Sequence, residues 1–275
     1  MQIDHVPLLR IQRELHDLPR GRPRFSAYIR TILNEGGADG ARLPLVAMNP
    51  MGRDHVTALL DDLLALDADR IAAEAVAEAV PTVAEIPGSC KLGLVIADDL
   101  MGGWTNRFAF EFTDRFGHRD DAGRPRADRV SPIAPDLPRR AKHSWLSCPL
   151  WSSEPASVRA VRESVLATIH RLAYLHRHGP AMTLRDRLAQ EGHVLAAAGC
   201  EAPVLDADDL AYTREAIAPF LDAADMRTAV ECLFGDEAAR TLGFTPRGLS
   251  PRAGLALALN DARRSPALAG RTPFD

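Results

Sequence analysis

Lysine is all but missing from this chain. Of its 33 basic residues only Lys91 and Lys142 are lysines, so Schiff-base or phosphate-binding lysine chemistry has two candidates at most. Alanine is abundant beside the arginines, a bias common in GC-rich bacterial genomes, and the number of arginines alone is therefore no sign of phosphate recognition. Cysteine is sparse too: Cys90, Cys148, Cys200 and Cys232 lie at least 32 residues apart. That spacing offers no C-x-x-C pair for zinc or redox work and no disulfide scaffold. No apolar run approaches the roughly 18 residues of a membrane-spanning helix. The opening segment MQIDHVPLLRIQREL is charged throughout and lacks the apolar centre of a signal peptide. The expectation is a cytoplasmic protein with reduced thiols and no membrane partner.

What remains is globular. The chain has 275 residues, 46% hydrophobic and 25% charged, enough for one large domain or two small ones with a sizeable core. A net charge of −4 argues against a nucleic-acid partner. The basic clusters RGRPR (20–24) and RPRADR (124–129) carry no interleaved aromatics for stacking on single strands, and the acidic total makes them a solvated surface.

Periodicity and breakers lay out the elements. Residues 8–19 and 25–35 read as helices separated by Pro19, Gly21 and Pro23. RLPLVAMNP (42–50) reads as a buried strand ending at an Asn-Pro turn, and CKLGLVIA (90–97) as another. Between them Val56, Leu59, Leu60, Leu63 and Leu64 fall at helical spacing, completing a βαβ unit with parallel strands. In RFAFEFTDRF (107–116), Phe108, Phe110 and Phe112 alternate with Arg107, Ala109 and Glu111, which reads as a strand antiparallel to 90–97. SWLSCPLW (144–151) is a further strand, placed at an edge by Pro149. The proline- and arginine-rich stretch 117–142 reads either as a lid or as a solvated insertion. From Pro155 onward the pattern is helical, with segments at 155–178, 183–198, 207–223, 225–240 and 250–264. The expected class is α/β: a small mixed sheet with a βαβ unit in residues 1–153, then a mainly helical region, 154–275, packed on it or separate.

Both exits of the βαβ strands would open on the sheet's carboxyl edge, where open α/β sheets bind ligands. At one exit, Asp98 and Asp99 can act as general base or metal ligand. Gly102-Gly103 lets a ligand approach the backbone, Trp104 can wall a pocket, and Asn106 and Arg107 can hold an oxyanion. Because adjacent residues leaving a strand point opposite ways, one aspartate alone would face a shared ligand. At the other exit, NPMGRDH (49–55) puts Asn49, Arg53 and His55 around a helix N-terminus suited to anions. Both stretches also make sound turns, with Asp, Asn and Gly in their usual structural roles. The heptad ADDLMGG (97–103) resembles the Asp-Asp-Leu-Thr-Gly-Ala turn of four-carbon acid sugar kinases. Here Met101 replaces the threonine and the turn sits far from the N-terminus; nothing else matches, and no activity is taken from it.

No P-loop, dinucleotide fingerprint or Gly-x-Ser-x-Gly elbow is present. His170, His176 and His178 are spaced by six and two, wrong for metal ligands on one helix, and Cys148 has no adjacent base. Neither a metal nor a cofactor is assigned. The leading expectation is an enzyme, or an enzyme-like pocket, for a small anionic or polyol ligand. The alternative is a non-catalytic binding or scaffold protein whose helical half offers a surface to a partner or to a second copy.

Overall fold

The apolar run near residue 90 is the middle of the sheet. In the computed structural model, which describes residues 1–33, 43–100, 105–117 and 144–264, β2 spans Ser89–Ala97 and is buried continuously from Leu92 onward. A strand covered on both faces loses its alternation and reads as an unbroken apolar segment. Its neighbours are β1, Gln2–His5, and β3, Ser144–Trp151, in the order β1-β2-β3. Both pairings are parallel, with Ile3 opposite Cys90 and Cys148 opposite Leu94. Pro149 falls on an edge strand, where its missing N–H costs no ladder bond on the outer side.

The class is α/β, and helices fill the connections. Between β1 and β2 lie α1 (Leu9–Asp17), α2 (Arg22–Leu33), α3 (Asp54–Ala65) and α4 (Ala68–Ala79). Between β2 and β3 lies α5, Arg107–Phe116. The C-terminal half carries α6 (Val158–His178), α7 (Leu184–Ala197), α8 (Ala207–Ile217), α9 (Met226–Phe234), α10 (Asp236–Thr241) and α11 (Ala253–Arg264). No helix among the described residues is long and apolar enough to cross a membrane. All four cysteines are buried.

Three expectations are corrected. The sheet of the described residues is parallel, not mixed. Residues 107–115 are helix rather than strand: Phe108, Phe112 and Phe116 are spaced by four, and Glu111 pairs with Arg115 one turn on. The run 42–48 is not a strand; Leu45–Ala47 form a single 3-10 turn whose Leu45 carbonyl accepts from Tyr28 Oη at 3.0 Å. Leu45, Ala47 and Met48 are buried as expected while Val46 faces solvent, and burial is not extended structure. The βαβ unit exists between β1 and β2, and β1 escaped notice because only Ile3 in QIDH is apolar. The stretch 118–143 lies outside the described residues.

The described chain divides into two compact units, one drawn from residues up to 107 and from 144–169, the other from 108–117 and 170–264. In the first, α1 lies on β2. Leu8 packs so closely on Gly93 that a β-carbon there would come within 2.5 Å of Leu8 Cδ1. β1 stops at His5, and Val6 N–H donates to Leu92 O at 2.8 Å. The fully buried amide of Gln12 then stands in for the missing strand: Nε2 donates to Leu94 O at 2.9 Å and Oε1 accepts from Ile96 N at 2.9 Å. A side-chain amide carries the same donor and acceptor as a peptide group, so β2 keeps its ladder satisfied past the end of β1.

The second unit is helical, with α11 buried along Ala253–Leu259. It holds a cluster of ion pairs. Arg171 grips Glu191 by two bonds, 2.8 and 2.9 Å, Arg115 bonds both Glu191 and Glu111, and Arg252 reaches Glu111 Oε1 at 2.6 Å. Glu191 and Glu111 are each held by two arginines, so removing one arginine weakens the compensation of a buried carboxylate without abolishing it.

Candidate functional site

Asp98 leaves β2 into a buried position, 2% exposed. A carboxylate there must be hydrogen-bonded, and it is, from three separate stretches of chain. Asn49 Nδ2 donates to its Oδ2 at 2.7 Å. His55 Nε2 lies 2.9 Å from Oδ1, and Ser152 Oγ also lies 2.9 Å from Oδ1. The Leu100 amide adds a longer bond to Oδ1, 3.3 Å.

Local sequence explains each donor. The Asn49-Pro50 turn closes through Asn49 Oδ1, which accepts from Met51 N at 2.9 Å. That bond sets the amide's orientation and leaves Nδ2 for Asp98. The chain then enters α3 through Arg53, its exposed N-cap residue, which brings His55 into the first turn. Ser152 follows β3 directly, and because β3 runs parallel to β2 its exit lies beside that of β2.

Burial opposes ionisation of Asp98, but the bonds from His55, Asn49 and Ser152 outweigh it and hold the carboxyl below its ordinary value. An ionised carboxylate only accepts, so the proton of a neutral His55 sits on Nε2 and Nδ1 is an acceptor. The His55 side chain is 26% exposed, so the pair is reachable from solvent.

Asp99 turns the other way. Its Oδ1 accepts from Ser153 N at 3.0 Å, and its Oδ2 from Ser153 Oγ at 2.7 Å and Arg107 Nη1 at 3.3 Å. Arg107 also donates to Ser153 Oγ at 3.0 Å and to Glu154, and its guanidinium lies 4.8 Å from the Trp151 ring centre. Ser152 Oγ touches both aspartates, reaching Asp99 Oδ1 at 3.1 Å. The two carboxylates thus define two halves of one polar edge. Asp98 holds Asn49 and His55, while Asp99 holds Arg107 and the Ser153 turn.

Of the residues expected at the site, Asn49, His55, Asp98, Asp99 and Arg107 are brought together. Arg53 and Asn106 are exposed at the ends of their turns, and Trp104 lies outside the described residues. Ser152, Ser153 and Glu154 were not anticipated. Their only sequence signal is their position directly after a strand, which points to this edge once β3 is known to be parallel to β2. Among the described residues, no three His, Cys, Asp or Glu side chains are grouped as metal ligands. Comparison of the chain with known protein families, with curated proteins and with solved structures finds no match.

Proposed function

We propose that the first unit is an enzyme acting on a small anionic or polyol ligand, with the His55–Asp98 pair as its reacting centre. The observation that carries this reading is the buried, ionised Asp98 bonded to a partly exposed histidine at the carboxyl edge of a parallel sheet, the edge at which such sheets bind ligands. Among the described residues the strand order runs in one direction, with no topological switch point to open a crevice, so the loops after β2 and β3 and before α3 would have to form the walls.

In this reading Asp98 is not the base, because both its oxygens are engaged. It orients His55 and stabilises the imidazolium that forms when Nδ1 takes a proton from a ligand hydroxyl. Asn49 and Ser152 keep Asp98 in place. Asp99 fixes Arg107, whose positive charge would favour an anionic group beside the site.

A thermal-shift screen of polyols, phosphorylated sugars, small carboxylates and divalent metals tests the proposal. A ligand at a hundred times its dissociation constant adds about 2.7 kcal/mol of stability. The expected result is a shift with at least one class that disappears in Asp98→Asn while circular dichroism stays unchanged. No shift with any class, or one that survives Asp98→Asn, would count against it.

A further inference from the structure

α1 carries a second histidine to the same edge. Its Leu8 meets Gly93, and its Gln12 bonds Leu94 and Ile96. His16 is one helical turn beyond Gln12, about 6 Å along the axis, and Asp98 is two residues beyond Ile96, a similar advance along the strand. The two are close enough that the charge of Asp98 acts on the His16 ring.

His16 is 6% exposed. Its Nδ1 lies 3.2 Å from Arg24 Nη1. Arg24 is itself clamped on carbonyls, donating to Leu18 O at 2.9 Å, His16 O at 2.9 Å and Gly52 O at 3.4 Å. A guanidinium can only donate, so Nδ1 is an acceptor and the ring proton sits on Nε2. That Nε2 is buried and has no hydrogen-bond partner. A buried donor left unsatisfied is destabilising, so a structure that retains one has a use for it or fills it from outside.

We propose that His16 is a ligand-binding residue of the Asp98 site, its Nε2–H donating to an uncharged oxygen, hydroxyl or carbonyl, of the substrate. The inference rests on the reading of His55–Asp98 as the reacting centre and narrows its ligand class. The two histidines then have opposite duties, His55 accepting a proton and His16 donating a hydrogen bond. Burial first, then the charges of Arg24 and Arg13, push the His16 ring down to about 4 against the pull of Asp98 and Asp17, so it stays neutral through the physiological range. A neutral imidazole beside an ionised carboxylate suits an uncharged oxygen better than a phosphate.

Side-chain ¹H–¹⁵N spectra of histidine-labelled full-length protein test this, with the His16 and His55 signals assigned through His16→Gln and His55→Gln. Glycerol and dihydroxyacetone serve as uncharged probes and inorganic phosphate as the anionic one. The expected result is that His16 shows the Nε2–H form and that an uncharged probe shifts both histidines. In His16→Leu the affinity for that probe should fall roughly tenfold, as for one lost hydrogen bond. If the probes shift His55 alone, His16 is a core residue and the proposal falls while the reacting centre stands. A His16 that responds to phosphate alone overturns the uncharged class. Silence of both histidines towards all probes overturns both readings.

Discussion

Asn49 uses one amide for two purposes, and substitutions there separate them. Asn49→Ala opens the turn to Met51 and takes away the hydrogen bond from Asn49 Nδ2 to Asp98 Oδ2. The expected cost is about 1–3 kcal/mol in urea melts. Asn49→Asp sets a second carboxylate against Asp98, so it should be the more damaging variant at pH 7 and recover towards pH 4, where one of the two can take up a proton. Equal losses at both pH values would show that Asp98 is not ionised in the folded state. At this scale the sequence was informative wherever a residue type is unusual for its place: an Asn before Pro, a His in a first turn, paired aspartates after a strand. It was silent on Ser152 and on His16. A serine after a strand and a histidine in an amphipathic helix are ordinary until their neighbours are known.

At the scale of elements, α5 shows how one pattern admits two periods. Phe108, Phe110 and Phe112 alternate like a strand, while Phe108, Phe112 and Phe116 repeat like a helix. Phe112 and Phe116 are the buried pair, and the choice falls to helix because a helix brings Glu111 and Arg115 within bonding distance, 2.9 Å, where Arg252 and Glu191 meet them, whereas a strand would hold the two about 13 Å apart. Close helix packing makes its own demand. A β-carbon on Gly192 of α7 would come within 2.6 Å of the Ala258 carbonyl oxygen of α11. The obstacle is backbone, so Gly192→Ala must push the two helices apart, at a cost of about 1–3 kcal/mol in thermal or urea unfolding. A neutral result would mean that α7 and α11 lie farther apart in solution.

For the whole molecule the clearest consequence is the dependence of stability on pH. His16, in the first unit, is lowered to about 4 from an ordinary 6.5, so its contribution is full above 6.5 and is lost as pH falls through about 4. Asp114, in the second unit, is raised to about 6 from 3.8: burial dominates, opposed by Arg171 and Arg115 and helped by Glu191 and Glu111. Its contribution is full below 3.8 and is lost as pH rises through about 6. Between pH 4 and 6 the two slopes oppose each other. Asp114→Asn removes one of them, so its stability should rise more steeply with pH over that window than the parent's. Above pH 6 it should exceed the parent by about 3 kcal/mol. Parallel profiles would show that Asp114 is ionised throughout. Glu191, lowered to about 2 against burial by Arg171 and Arg115, keeps its contribution above 4.5 and loses it as pH falls through about 2.

By itself the sequence determined the α/β class, the strands at 90–97 and 144–151, the edge position of Pro149 and the helical C-terminal half. These follow from local pattern, since a strand buried on both faces must be apolar throughout and a long helix must keep one apolar stripe. Only the tertiary structure decided the rest. It made β3 parallel, it made α5 a helix, and it supplied β1, whose four residues carry too little apolar signal to be seen alone. It also gathered the site, because Asn49, His55 and Ser152 reach Asp98 across 49, 43 and 54 residues of chain. Contacts at that separation come from the packing of α1 on β2 and of α3 on α1, and from the shared direction of β2 and β3, none of which any short stretch of sequence encodes.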